Sequence, residues 1–199
     1  METSDSTDYL NKEPEGTPFN LKDALPSIGI VGAVFSIISF IIGLFFGYQQ
    51  INSEPTGSFF SPYMLSSGVI CLATAFAGML AIWHYTKEVS PTLKLGQGAL
   101  IGFITGAAVV LFSIILNELW LLIDPDYTKK ILDASIANIE AMDFPEDAKN
   151  DMIDAFAQGL TDQSFLRQLF IGIPIPGLLN MGTAMIGVKL FATKEEESF

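Results

Sequence analysis

The stretch LGQGALIGFITGAAVVLFSIILNELWLLI, residues 95–123, decides the fold of this chain. From Ala99 to Leu116 it carries no charged side chain. A helix needs about 20 predominantly apolar residues to cross the hydrocarbon core of a bilayer, and this run has about that length. The stretch is therefore predicted to be a membrane-spanning helix.

Three more apolar runs accompany this one, at about residues 25–48, 62–85 and 165–191. All four carry small or hydrogen-bonding residues, mostly three or four positions apart, which places these residues on one face of each helix. Such a face lets another helix approach closely, whereas the plain alternative is that glycine is simply common in membrane helices. Because the spacing recurs in all four runs, we predict an all-α, four-helix transmembrane bundle. The glycines expected at helix contacts are Gly29, Gly32, Gly43, Gly78, Gly98, Gly102, Gly106 and Gly187.

Composition and charge narrow the class of protein. Half of the 199 residues are hydrophobic, the mean hydropathy is +0.43, and the net charge is −12. The acids lie almost entirely outside the apolar runs, and no basic face is available to replace the counterions of a nucleic acid. One cysteine, Cys71, and one histidine, His84, do not make up a zinc site of the usual nitrogen and sulfur ligands. We therefore predict a lipid bilayer as the surroundings, with no nucleic acid partner and no metal or other cofactor.

The positions of lysine and arginine predict the orientation. Residues 1–24 form an acidic segment that is expected to be disordered, and residues 193–199 form a second tail. With both termini in the cytoplasm, most of the lysines also lie there, and the first outer loop has none. These lysines are Lys12, Lys22, Lys87, Lys94, Lys189 and Lys194. The prediction is a multi-pass protein of a bacterial inner membrane, with residues 25–192 as its membrane domain.

A segment outside the predicted spans, residues 124–162, separates the third span from the fourth. Asp124 and Pro125 are typical of a helix N-cap followed by a proline at the first helical position. Pro145 with Glu146 and Asp147 is typical of a second helix start. Each helix has an apolar stripe that needs a cover. We predict an extracytoplasmic amphipathic helical hairpin whose stripes cover one another or dip into the lipid headgroups.

Three motifs carry a family resemblance. They are Trp83-His84-Tyr85-Thr86-Lys87 at the exit of the second run, Leu95-Gly96-Gln97-Gly98 at the entry of the third, and Ile123-Asp124-Pro125-Asp126-Tyr127. With the order of the four runs, they resemble the uncharacterised Bacteroidetes membrane family filed as domain of unknown function 4199. The resemblance covers about residues 26–192 and implies an inner-membrane, four-span protein whose outer loop faces the periplasm. It implies no catalytic or binding residue.

The third run ends on two polar residues, Asn117 and Glu118. An acid inside a span is by default a candidate for a proton or ion path. Glu118, however, lies about 20 residues from Ala99, at the level of the outer interface, where Trp120 is also expected. An interfacial or hairpin-docking acid is therefore the preferred interpretation, with Asn117 the more buried of the two.

A second polar group is predicted near the middle of the bundle. Asn180 lies about midway along the fourth run, and Ser36, Ser39 and Thr74 reach a similar depth in theirs. These side chains could form a cluster that binds a solute or an ion. The alternative, which we favour, is hydrogen bonding between helices, at about 0.6 kcal/mol per contact. Because an unchanged stability of Asn180→Leu would contradict it, that variant is the test.

Two prolines, Pro174 and Pro176, are expected to bend the outer third of the fourth span, since each removes a helical hydrogen bond. A moving hinge is the functional alternative to a static kink, which is commoner. For His84, at the end of the second run, an interfacial position is the preferred interpretation. The sequence pairs no nucleophile with a base, so we predict that the protein is not an enzyme.

Two functions from different classes remain. The preferred one is a non-enzymatic membrane protein that engages a partner protein, or a second copy of itself, through its hairpin or tail. The alternative is a conduit for a small solute or ion, formed by the bundle or its oligomer, with Asn180 and the pair Asn117 and Glu118 as its polar lining. A conduit needs polar groups from one face to the other, and the inner halves of the runs offer mostly glycine and alanine.

Overall fold

The fold was analysed in a computed structural model that describes residues 19–161 and 165–193. Its helices are α1 (Leu21–Asn52), α2 (Pro62–Thr74), α3 (Ala77–Glu88), α4 (Leu95–Leu121), α5 (Tyr127–Glu140), α6 (Glu146–Thr161), α7 (Phe165–Gly172) and α8 (Pro174–Phe191). Four stretches are long and apolar enough to cross a membrane: Leu21–Asn52, Pro62–Glu88, Leu95–Leu121 and Gln168–Phe191. The predicted all-α fold with four helices of spanning length is confirmed.

The bundle core consists of alanines together with larger apolar side chains such as isoleucine. Among the described helices, α4 and α8 share the most extensive interface, and α1 packs on α2, α3 and α4. Ala81, Ile82, Ile101 and Ala184 have no exposed surface. The large apolar side chains instead point outward, as lipid contact requires. Core and surface are thus arranged as in a membrane helix bundle.

The first span begins earlier than predicted. Asn20 caps α1, since its Oδ1 accepts a hydrogen bond from the backbone N–H of Lys22 at 3.1 Å. Residues 21–24 are therefore helical and not part of the acidic tail, and Ala24 is fully buried. Pro26 consequently falls in the second turn of α1 and not in the first. The rest of both predicted tails, residues 1–18 and 194–199, lies outside the described residues, as does the last residue of the predicted hairpin segment, Asp162.

α1 is longer than a bilayer core is thick. Its 32 residues measure about 48 Å, against about 30 Å of hydrocarbon. The end of α1 near Asn52 therefore projects beyond the bundle, and α5 packs against it. This end of the molecule, where α5 and α6 lie, is called the helix-pair end below, and the two helices are called the α5–α6 pair.

α5 begins at Tyr127, three residues after the predicted N-cap at Asp124. The carboxylate of Asp124 accepts a hydrogen bond from the Tyr48 hydroxyl at 2.7 Å and one from Lys130 Nζ at 2.8 Å. These bonds join the start of the α5–α6 segment to α1 and to α5. The third span also ends earlier than predicted, at Leu121 and not at residue 123.

Candidate functional site

Asn180, predicted to lie near the middle of the bundle, belongs to α8 and is fully buried against α3. Its Oδ1 accepts a hydrogen bond from the backbone N–H of Gly78 at 2.6 Å, and its Nδ2 donates one to the carbonyl of Pro176 at 2.8 Å. Gly78 is the second residue of α3, whose N-cap, Phe76, makes no capping bond with its side chain. Asn180 therefore acts as the N-cap of α3 from a different helix.

The second span is interrupted at Ala75 and Phe76, which the sequence did not predict. An interruption leaves backbone groups without their helical partners, and in a membrane these must be satisfied inside the protein. Thr183 Oγ1 donates to the carbonyl of Ala75 at 2.6 Å. Together Asn180 and Thr183 on α8 satisfy one donor and one acceptor at the break. We call Ala75, Phe76, Gly78, Asn180 and Thr183 the bridged break.

The other predicted polar residues of the bundle bond to their own helices. The hydroxyls of Ser36, Ser39 and Thr74 donate to the carbonyls of Ala33, Phe35 and Ile70 at 2.7 to 2.8 Å. All three side chains are buried. Among the described residues no hydrogen bond joins them to one another or to Asn180.

Most of the predicted packing glycines lie at close helix contacts. A Cβ added at Gly78, Gly102 or Gly106 would overlap backbone atoms of α8. Gly32, Gly98 and Gly187 also meet neighbouring helices, the first through Ala108 Cβ at 3.0 Å.

Two of the predicted packing glycines, Gly29 and Gly43, do not lie at close helix contacts. Gly29 has open space around its Cβ position, and Gly43 has only an ordinary contact of 3.8 Å with Ile70. Gly43 is far enough from α2 that a methyl group would fit.

The fourth span is interrupted at Ile173, directly before Pro174. Pro174 begins α8, and Pro176 lies in its first turn, where missing N–H groups cost little. The carbonyl of Pro176 instead accepts the Asn180 amide. Beside it, a Cβ at Gly106 would lie 2.5 Å from that carbonyl oxygen. The proline segment is thus packed directly against α4.

A serine and a histidine meet at the opposite end of the bundle, a pair that the sequence analysis did not find. Ser27 Oγ and His84 Nδ1 are hydrogen-bonded at 2.9 Å, from α1 to α3. Ser27 is fully buried, so its hydroxyl is not accessible to a substrate. The pair joins α1 to α3. A long-range contact of this kind has no signature in the local sequence.

The α5–α6 pair is fastened to the bundle by buried amides. Asn138, 4% exposed, accepts a hydrogen bond from the backbone N–H of Thr56 at 3.1 Å and donates one to the carbonyl of Ser58 at 2.9 Å. Gln50, 3% exposed, donates to the carbonyl of Ala134 at 3.4 Å. Asn138 was not among the residues predicted from the sequence. A polar residue inside the apolar stripe of α5 is the feature that could have identified it.

We expect Asn138→Ala to loosen the loop of residues 53–61 and lower the free energy of unfolding by about 1–3 kcal/mol. The reason is that the N–H of Thr56 and the carbonyl of Ser58 lose their partner. Hydrogen exchange of the loop amides should accelerate in detergent-solubilised protein. Asn150→Ala, at an exposed position on α6, serves as the control. Equal exchange in both variants would contradict the assignment.

Asp124 makes the helix-pair end sensitive to acid. The hydrogen bonds from Lys130 and then from Tyr48 hold the pKa of Asp124 below its usual range. A group with a lowered pKa in the folded state contributes stability above its unfolded pKa, about 4, and loses it as the pH falls through the folded value. The effect is modest because the Lys130 side chain is 44% exposed.

We therefore expect thermal unfolding midpoints of wild type and Asp124→Asn to differ at pH 6 and to converge toward pH 3. The measurement is a series of melts in detergent over this range. Asp143→Asn, which changes an exposed acid between α5 and α6, should track the wild type throughout. A constant difference between wild type and Asp124→Asn at every pH would show that charge is not its cause.

A cavity of about 250 Å³ lies at the helix-pair end, between α2, α4, the α5–α6 pair and α7. It contains both predicted polar residues of the third span, Asn117 and Glu118, which are exposed. The remaining polar lining comes from other elements: Tyr63, Tyr127, Thr128 and Gln168. The sequence identified the two residues of α4, and the fold adds the four that complete the cavity.

The described residues contain no group of three or more histidine, cysteine or carboxylate side chains close enough to hold a metal ion. Among the described side chains that line the cavity, Glu118 is the charged one. The chemistry of the cavity is that of one carboxylate with amides, hydroxyls and aromatic rings.

Comparison with known proteins gives one match. The family model described as "Protein of unknown function (DUF4199)" matches residues 27–187, which is most of the chain. No curated protein and no solved structure matches significantly.

Proposed function

The chain belongs to the DUF4199 family of proteins of unknown function, and from this premise we propose that it engages a partner protein through its α5–α6 pair. It acts as a non-enzymatic, multi-pass protein of the bacterial inner membrane. Both termini lie in the cytoplasm, and the helix-pair end faces the periplasm. The lysine distribution and the length of the four apolar helices support this orientation.

One observation carries the proposal: the α5–α6 pair is held in a fixed position with an acidic surface exposed. Buried hydrogen bonds of Asn138 and Gln50 fasten it, so its outer side is presented in one orientation. Two of its lysines are already engaged, Lys130 by Asp124 and Lys149 by Glu146. The acidic surface that makes no ion pair among the described residues consists of Asp133, Glu140, Asp143, Asp147, Asp151 and Asp154, all exposed.

An unmatched acidic surface favours a partner with a basic one. Complementary charge speeds encounter and selects the correct partner, while it adds less to affinity. The association should therefore weaken with salt, as expected when exposed charges more than about 10 Å apart are screened. We propose a basic protein surface, in the periplasm or on an extracytoplasmic domain, as the binding partner.

The packing of the bundle interior favours the proposal of a partner protein over that of a conduit. At mid-depth Thr105 and Asn180 have no exposed surface, and the carboxamide of Asn180 has a backbone partner at each end. The glycine face of α4 lies against the backbone of α8 and leaves no space there. A conduit through one copy would need free polar groups at this level.

The test is photocrosslinking in native membranes. A photoreactive residue at position 151 should crosslink a specific partner, and the triple variant Asp147→Asn, Asp151→photoreactive residue, Asp154→Asn should reduce that crosslink at least tenfold. The matched control neutralises three acids of the C-terminal tail, Glu195, Glu196 and Glu197, and should leave the crosslink unchanged. If the tail variant alone lost the crosslink, the docking site would be the C-terminal tail and not the α5–α6 pair. A chain that crosslinks to nothing, and that makes liposomes permeable to ions, would favour the conduit.

Orientation has its own test, independent of the partner. In a Cys71→Ser background, a cysteine placed at Asp151 should react with an impermeant maleimide added to spheroplasts. A cysteine placed at Glu196 should react only after the membrane is opened. The reverse pattern would overturn the proposed topology.

A further inference from the structure

We propose that the cavity at the helix-pair end binds a primary ammonium group, carried by a small soluble amine or by the headgroup of phosphatidylethanolamine. The site is formed by the end of α4, where Asn117 and Glu118 lie, and by residues of α2, α5 and α7. The inference concerns a ligand and does not depend on the proposed partner protein.

The cavity carries a negative charge that no described residue neutralises. Glu118 makes no recorded ion pair or hydrogen bond within the described residues. The nearby Lys130 is occupied by Asp124 at 2.8 Å. A cationic ligand would therefore find an unmatched carboxylate, and a neutral or anionic ligand would not be attracted.

Hydrogen-bond acceptors outnumber donors at the end of α4. The Asn117 Nδ2 donates to the carbonyl of Ser113 at 2.8 Å, so the Asn117 Oδ1 is left to accept. With the two carboxylate oxygens of Glu118, the site offers three acceptors. A primary ammonium group brings three N–H donors, and a trimethylammonium group brings none. This is the reason for choosing the primary amine.

Aromatic rings complete the site. Tyr63 and Tyr127 both line the cavity, and a cation is attracted to the face of a phenol ring. Burial raises the pKa of Tyr127 to about 12, so its hydroxyl stays neutral near pH 7. The rings therefore add attraction for a cation without adding a second charge, which matches a ligand with one positive charge.

The size and position of the cavity agree with a headgroup or a small amine. Pockets for drug-sized ligands measure about 300–1,000 Å³, and this one measures about 250 Å³. Glu118 lies within one turn of the end of α4, at the end of a candidate span. Lipid headgroups occupy this level of a bilayer. The volume and level thus fit both sources of the ammonium group.

One residue of the chain itself could compete for the site. Arg167 is the only lysine or arginine between Lys149 and Lys189, and it directly precedes Gln168, which lines the cavity. The side chain of Arg167 lies outside the described residues. The experiment therefore includes Arg167→Gln.

The experiment uses the full chain purified in detergent and incorporated into nanodiscs. Lipid retention is measured by native mass spectrometry, with phosphatidylethanolamine compared with phosphatidylcholine and phosphatidylglycerol. Thermal melts with free ethanolamine test the soluble source. Glu118→Gln removes the charge at constant size, and Glu54→Gln, an exposed glutamate in the loop at the same end, is the matched control. Both variants must first show a melt and an elution profile like wild type; if Glu118→Gln does not, Asn117→Ala replaces it.

We expect wild type and Glu54→Gln to retain phosphatidylethanolamine or to gain thermal stability with ethanolamine. Whichever of these two effects wild type shows, we expect it to be at least tenfold smaller in Glu118→Gln. Phosphatidylethanolamine alone identifies a lipid, and ethanolamine alone identifies a soluble amine. Three results overturn the proposal: equal retention of phosphatidylcholine, an unchanged response of Glu118→Gln, or a response that appears only in Arg167→Gln. The last would show that the chain neutralises Glu118 itself.

Discussion

Replacing Gly102 or Gly106 by alanine should lower the free energy of unfolding by about 1–3 kcal/mol each. At both positions the added methyl group would overlap the backbone of α8, at Asn180 or Pro176. Backbone cannot rotate away as a flexible side chain can, so α4 and α8 must separate along their shared interface. At about 2–4 °C per kcal/mol for a chain of this size, the shift of the unfolding midpoint is readily measured in detergent.

Gly182→Ala on α8 is the matched control, because the Cβ position of Gly182 has nothing within 4 Å. Alanine is about 1 kcal/mol better than glycine in an unhindered helix, so this variant should be unchanged or slightly more stable. The comparison separates crowding from helix propensity. If Gly102→Ala and Gly106→Ala also matched the wild type, the close contact of α4 with α8 would not contribute to stability.

The features that the sequence predicted correctly are those that depend on local pattern. An uncharged run as long as a bilayer is thick identifies a span from composition alone, and residues 95–123 show this. The spacing of Gly98, Gly102 and Gly106 likewise predicts a helix contact because four residues make about one turn. The spacing does not show that α8 is the helix that packs against this face.

The features that the sequence missed depend on contacts between distant residues. Neither Ala75 nor Phe76 is a proline or glycine, so these two residues gave no indication of the break in the second span. Its backbone groups are satisfied by side chains more than 100 positions away, Asn180 and Thr183. The bonds of Asp124 to Tyr48 and Lys130 were likewise not predicted from its local capping pattern.

The candidate cavity contains both kinds of feature, one residue that the local sequence pattern identified and others that only contacts between distant residues bring together. The position of Glu118 near the end of an apolar run made it notable in the sequence. The residues that give it a possible ligand chemistry come from other helices, and only the fold brings Tyr63 and Tyr127 to it. A carboxylate at the end of a span is ambiguous by itself, whereas a carboxylate in a partly aromatic cavity favours a definite class of ligand.

Asn180→Leu should also destabilise the protein strongly, because it removes the cap of α3. The N–H of Gly78 and the carbonyl of Pro176 would each lose a partner in a region with no water. An unsatisfied buried polar group costs about 1–3 kcal/mol, and several kcal/mol in hydrocarbon. Leucine preserves the side-chain bulk, so the loss should report hydrogen bonding. Asn52→Leu, at an exposed position at the end of α1, controls for the substitution itself.

A double-mutant cycle with Thr183→Val tests whether the bridged break acts as a unit. Thr183 satisfies the carbonyl of Ala75 on one side of the break, and Asn180 satisfies Gly78 on the other. If losing either bond already lets the break open, the second loss should cost less than it does alone, by about 0.5 kcal/mol or more. Additive effects would mean that the two side chains stabilise α3 and α2 independently. Wild-type stability of Asn180→Leu would instead leave this buried amide without a structural role and would return it to the candidates for ligand binding.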